Sequence, residues 1–241
     1  HLPTLGPTAL LLEPIRRRAA IQMPYNAVAA MVMFTAFFVG VFYCLDALHG
    51  ERRDRSILFW KSLPVSDFTT VMAKFTIPLA ILPLVTFATV VLTQLLTLLI
   101  TTIALLPAGL AGTTLPQLPL GHLAMKLFYG LSTMALWQAP FYSWLLIVSA
   151  WARRATFLWA FLPWAALCAV ETLAFDSTYL AHLLGSRVTG NFDAAFVGIG
   201  DRVAEIDPVR FFAAPGLWLG LVVAAIFLAG AIRLRRAHGP L

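Results

Sequence analysis

The residues richest in chemistry lie between His49 and Phe75, in HGERRDRSILFWKSLPVSDFTTVMAKF. Acid and base alternate in the first half, through Glu51, Arg52, Arg53, Asp54 and Arg55. The second half sets Ile57, Leu58, Phe59, Trp60 and Leu63 beside Lys61. Such a pattern predicts a short amphipathic helix lying along a surface. Pro64 should end it, and Ser66 or Asp67 can cap the next helix by accepting its free N–H groups. Two roles fit these side chains: an interfacial anchor whose charges are simply solvated, or a mixed-charge face that a partner can grip.

Other reactive groups are sparse. No G-x-x-x-x-G-K-[ST] loop occurs, and the chain has no Gly-Lys pair, so the backbone cradle and lysine that hold nucleotide phosphates are missing. His122 and His182 stand far apart without metal-ligand spacing, and His49 stands alone, so no metal site is expected. Cys44 and Cys168 fall in apolar stretches and read as small hydrophobes. Glu171 is the one acid well inside an apolar run. It is placed near the end of that run, where reaching the interface costs little. Thr86, Thr89, Thr93, Thr97 and Thr101 recur every three or four residues, within an arc of about 120° on a helix, with Gln94 just beyond its edge. This stripe either lines a polar pathway or packs against neighbouring helices, and in both cases should face protein.

The elements that position these groups are set by a shortage of charge. Of 241 residues 60% are hydrophobic and 12% charged, about half the charge of a soluble domain. The uncharged stretches predict an all-α, polytopic membrane protein with spans at about 25–45, 75–106, 128–151, 156–174 and 211–232. Pro78 and Pro83 should kink the second span, and Pro140 and Pro163 fall inside the third and fourth. Residues 107–121 are rich in Pro and Gly and read as a loop. Residues 176–210 read as an aqueous loop with room for a short interfacial helix.

A net charge of +6 would suggest nucleic acid in a soluble protein, but here the bases sit at span ends and set orientation. With loop 46–74, Arg153-Arg154 and the C-terminus on the cytoplasmic side, that side holds ten bases and four acids, and the other holds seven of each. The exception is Arg16-Arg17-Arg18, placed outside. A further span upstream of His1 would account for it, giving six spans in the intact chain with both ends in the cytoplasm.

The order of acid-base cluster, apolar helix, S-L-P-V-S-D and a lysine heading a long span resembles the first cytoplasmic loop of ABC-2 class permeases, the transmembrane subunits of ATP-binding-cassette exporters. The charged external segment, final span and short basic tail are similar too. The resemblance implies one transmembrane permease domain over residues 1–241 in the bacterial inner membrane, paired with a second copy or a related permease. It further implies a coupling helix in loop 46–74 that docks into a separate ATPase subunit, which binds ATP and Mg and does the hydrolysis. Carried over, the contacts are Glu51, Arg52, Arg53, Asp54, Arg55, Phe59 and Trp60. Three rival classes remain. An intramembrane enzyme would need several catalytic groups at one depth, and a secondary transporter should show internal repeats, neither of which is evident. A membrane scaffold that recruits an ATPase without transporting fits the same residues.

Overall fold

The computed structural model describes residues 7–56, 58–59, 64–105, 120–190, 196–197 and 205–237. Within them side chains are described from Ala27 onward, apart from residues 104, 105, 120, 122, 123, 196, 197 and 205. The helices are α1 (Pro7–Ala47), α2 (His49–Arg53), α3 (Asp67–Thr76), α4 (Leu82–Leu105), α5 (Leu120–Trp151), α6 (Thr156–Phe175), α7 (Tyr179–Thr189), α8 (Pro208–Ala213) and α9 (Pro215–Ala237). The only strands among the described residues are Phe196–Val197 and Glu205–Ile206, paired antiparallel. Five stretches are long and apolar enough to cross a membrane: Ala27–Arg53, Asp67–Ile103, Ala124–Trp151, Thr156–Phe175 and Pro215–Ala237. The chain is an all-α polytopic membrane protein.

The second span is longer than a bilayer requires, and its start is reshaped by proline. Pro83 has no N–H to give Leu79, and its ring crowds that carbonyl. Residues Ile77–Ile81 respond by widening into a π-helical turn, in which the Leu82 N–H reaches back to the Ile77 carbonyl. By contrast, Pro140 and Pro163 sit inside helices that continue through them. One turn on, the Ser143 hydroxyl donates to the Pro140 carbonyl at 2.9 Å.

Three expected boundaries shift. The helix of the third span begins at Leu120, so it reaches into the stretch expected to be loop. Residues 106–119 lie outside the described ones. The last span begins at Pro215, not Phe211. Phe211 belongs to the separate helix α8, capped by Asp207, whose carboxylate accepts from the Arg210 N–H. Ala214 is extended, and Pro215 fits the first turn of α9 because its missing N–H would find no partner there. The first helix continues upstream of residue 25 to Pro7; the side chains of Arg16-Arg17-Arg18 lie outside the described ones.

The described residues form two compact units. One comprises residues up to Ala36 with Val85–Leu127, and the other comprises Phe37–Leu84 with Phe128–Leu241. The second holds the core, where Val41, Cys44, Leu45 and Leu48 of the α1 end pack with Val71 and Phe75, with Tyr142, Leu145, Leu146 and Val148, and with Ala224, Leu228 and Ala231. α5 is the most deeply buried span, while α6 buries only Ala160. In the first unit α4 leaves Leu92, Leu95, Leu99, Ile100 and Ile103 exposed, the surface expected of a helix solvated by lipid.

Candidate functional site

In the second unit, the ends of α1, α3, α5 and α9 meet the 49–56 segment, and each end leaves backbone groups or charge to be satisfied. Ser149 of α5 uses all of its bonding capacity on the end of α1. Its hydroxyl donates to the Leu45 carbonyl at 2.8 Å and accepts from the N–H groups of Leu48 at 3.1 Å and His49 at 2.9 Å. The Lys74 ammonium donates to the Ala47 carbonyl, closing the same helix end. Arg52 closes the end of α5, with Nη1 donating to the Ala150 carbonyl at 2.6 Å. His49 Nδ1 lies 3.2 Å from the Ala152 carbonyl. Placing cations on these C-terminal carbonyls also opposes the negative ends of two helix dipoles.

The carboxylates are held as tightly. Glu51 takes Lys74 Nζ at 3.1 Å on one oxygen and Arg235 Nη2 at 3.2 Å on the other. The other arm of the Arg235 guanidinium donates to Asp67, in the first turn of α3. Arg235 is only 4% exposed and Glu51 11% on their side chains, so neither charge is left to water. Buried ions of this kind persist only when paired, since each unpaired one would cost several kcal/mol. Ser66 caps α3, accepting from the Thr69 N–H at 3.1 Å. Two candidate residues therefore change meaning. Glu51 and Arg52 face inward and hold the segment in place; they are not surface available to a partner.

The exposed remainder is smaller than the sequence implied. Arg53 is 60% exposed and pairs with Asp54 at 3.1 Å, a surface interaction of little energetic weight. The helix expected to run to Pro64 stops at Arg53, because Arg55 adopts φ 58° and turns the chain left-handed. Leu58 and Phe59 are helical again and exposed. Trp60 lies outside the described residues. What the structure offers here is thus Arg53, Asp54, Arg55 and Phe59, exposed beside a base of paired ions.

The threonine stripe belongs to the first unit. The hydroxyls of Thr89, Thr93 and Thr97 donate to the carbonyls of Val85, Thr89 and Thr93 at 2.7 to 2.8 Å, and Thr101 bonds the Thr97 carbonyl in the same way. Thr86 and Gln94 are buried, Thr93 and Thr97 half-buried, and Thr89 and Thr101 exposed. One edge of the expected protein-facing stripe is therefore open.

A second polar cluster, which the sequence did not announce, occupies the other end of α9. Arg187 of α7 lies 4.4 Å from the Trp137 ring centroid and donates to the Gly216 carbonyl at 2.6 Å. Trp137 donates to the Ser186 carbonyl at 3.0 Å and Gln138 to that of Val188 at 2.6 Å, so α7 is tied to α5 by backbone acceptors. Gly220 makes the room, because a Cβ there would stand 2.6 Å from Arg187 Nη1. Burial pushes the Arg187 guanidinium down from its ordinary value. Glu171 also gains a structural explanation: its carboxylate accepts from the Ser177 hydroxyl at 3.0 Å and the Leu180 N–H at 2.9 Å, capping the start of α7.

The two clusters were unequally readable. The buried face of α9 runs Leu217, Gly220, Ala224, Leu228, Ala231, Arg235, and continuing that spacing into RLRR selects Arg235 over Arg233 and Arg236. That spacing is legible in the sequence. Nothing in the spacing paired Arg187 with Trp137. Among the described residues no group of three or more His, Cys, Asp or Glu is placed to hold a metal ion. Comparison with protein-family models, curated proteins and solved structures finds no match.

Proposed function

We propose that this chain is the permease subunit of an ATP-driven exporter of the ABC-2 class, coupled to a separate ATPase subunit through the 49–59 segment. The observation that carries the reading is the division of labour within that segment. Glu51 and Arg52 are fixed to α9, α3 and α5, whereas Arg53, Asp54, Arg55 and Phe59 are exposed. A face anchored from behind by buried ions can take a push from a moving partner and pass it to the spans; a solvated interfacial anchor needs no such backing. In this reading the segment and the C-terminus are cytoplasmic, in a bacterial inner membrane. The partner binds ATP and Mg and performs the hydrolysis, and the chain itself is not an enzyme.

The export pathway would form with a second copy or a related permease. The threonine hydroxyls on α4, already bonded to their own helix, suit close packing between helices more than a water-lined channel. The coupling reading is tested with Arg53→Glu combined with Arg55→Glu, two exposed positions whose change leaves the buried ions intact. The variant is expected to lose association with the ATPase subunit on co-purification, or to lose stimulated ATP hydrolysis in the reconstituted complex. Survival of both would overturn the coupling assignment. Association with an ATPase that shows no substrate-stimulated hydrolysis in the native complex would favour a recruiting scaffold.

A further inference from the structure

The buried ion pairs do more than satisfy charges, because they join elements distant in sequence. Arg235 of α9 touches both sides of the docking segment. It reaches Glu51 before the left-handed turn at Arg55 and Asp67 after it, across 184 and 168 residues of sequence. A planar guanidinium can serve two carboxylates at once through separate N–H pairs, which a lysine ammonium on a flexible stem does not reproduce. We propose that Arg235 is a positioning residue that locks the last turn of α9 to the docking segment, so that the two move as one body. A displacement of Arg53, Arg55 and Phe59 by a partner is thereby delivered to a spanning helix at its end. Lys74, pairing with Glu51 and closing α1, connects the same lock to the first span. The coupling role rests on the function proposed above; the lock itself does not.

Two arms of one experiment separate these parts. In the first, deuterium uptake is followed on the full chain in lipid nanodiscs without any ATPase. Arg235→Gln is expected to raise exchange in residues 49–56 by about tenfold or more while leaving residues 179–189 unchanged. Asp67→Asn, which removes one arm only, should act in the same direction more weakly, and it carries the test if Arg235→Gln does not fold. Arg235→Lys should fall between native and Arg235→Gln. Unchanged exchange at 49–56 overturns the lock, and so does an equal rise at both places, the signature of general destabilisation. In the second arm, with the ATPase subunit present, Arg235→Gln is expected to retain association and lose stimulated hydrolysis about fivefold or more. Full stimulation would overturn transmission through α9. If no ATPase associates with the native chain, the proposed function fails and the exchange result still decides the lock.

Discussion

Each end of α9 holds a guanidinium, buried for Arg235 and half-buried for Arg187, and the two are accommodated by opposite means. At the C-terminal end Arg235 meets two carboxylates and lies in the last turn, where the helix dipole favours a cation. At the N-terminal end Arg187 meets an aromatic face and the carbonyl of Gly216, beside a helix start whose dipole disfavours it. The first arrangement is matched in charge, Lys74 and Arg235 against Glu51 and Asp67, and is built from α2, α3 and α9. The second depends on shape, on two glycines and on one ring. The comparison teaches that the loop end is held by electrostatics and the α7 end by fit, so different substitutions should break them.

The largest effect is expected where charge is removed from the matched cluster. Glu51→Ala strips Lys74 of its only carboxylate among the described residues and leaves Arg235 with Asp67 alone. Breaking a buried pair in this way costs about 3–5 kcal/mol. The midpoint of thermal unfolding in detergent should fall accordingly. A loss below about 1 kcal/mol would show that water reaches the cluster and that its charges are not held by one another.

A smaller and purely steric effect is expected at the other end. Gly220→Ala adds a methyl group where Arg187 Nη1 already lies 2.6 Å from the new atom's position. The guanidinium must move, at a cost of about 1–3 kcal/mol for overpacking, offset by the roughly 1 kcal/mol that alanine gains over glycine inside a helix. Deuterium uptake should rise in α7 and stay unchanged at residues 49–56. If both regions loosen together, the two ends are not independent and the contrast drawn between them fails. Gly216→Ala is the milder companion, because its Cβ would meet the edge of the Trp137 ring at 3.1 Å and Arg187 Nη2 at an ordinary 3.8 Å.

The contrast also explains what was legible beforehand. Span number and helical class follow from where charge is missing, a property of composition that local detail cannot disguise. The fourth span shows this, being expected at 156–174 and observed as Thr156–Phe175. Boundaries failed where a single residue overrides composition, as Pro215 does by starting α9 four residues later than the apolar run. The inward packing of Glu51 and Arg52 was hidden for a different reason. In a helix of five residues, α2, there is no periodicity to say which side faces inward. Arg53 and Arg52 look alike in sequence, and only the carbonyls of α5 distinguish them. The Arg187 clamp needed contacts between three helices far apart in the chain, which no spacing encodes.

The smallest predicted effect is a gain, and it checks that changes near the loop end are not destabilising merely by location. Ala155 joins α5 to α6 with φ 52° and ψ 52°, and its side chain is exposed. A Cβ in the left-handed region crowds the following carbonyl at a cost of about 1–2 kcal/mol. Glycine removes that cost, while the freer unfolded chain returns roughly 0.4–1 kcal/mol of it. Ala155→Gly should therefore stabilise by about 1 kcal/mol, a rise of about 2–4 °C in Tm for a chain of this size. The carbonyl that accepts from the N–H groups of Leu158 and Trp159 is backbone and is retained. Exchange at residues 49–56 and 179–189 should match the native chain, because the turn supplies no ion to either cluster. A fall in Tm would mean that the Ala155 methyl group makes a contact worth more than the backbone strain it imposes, and that the Arg153-Arg154 turn is a packed element and not a simple connector.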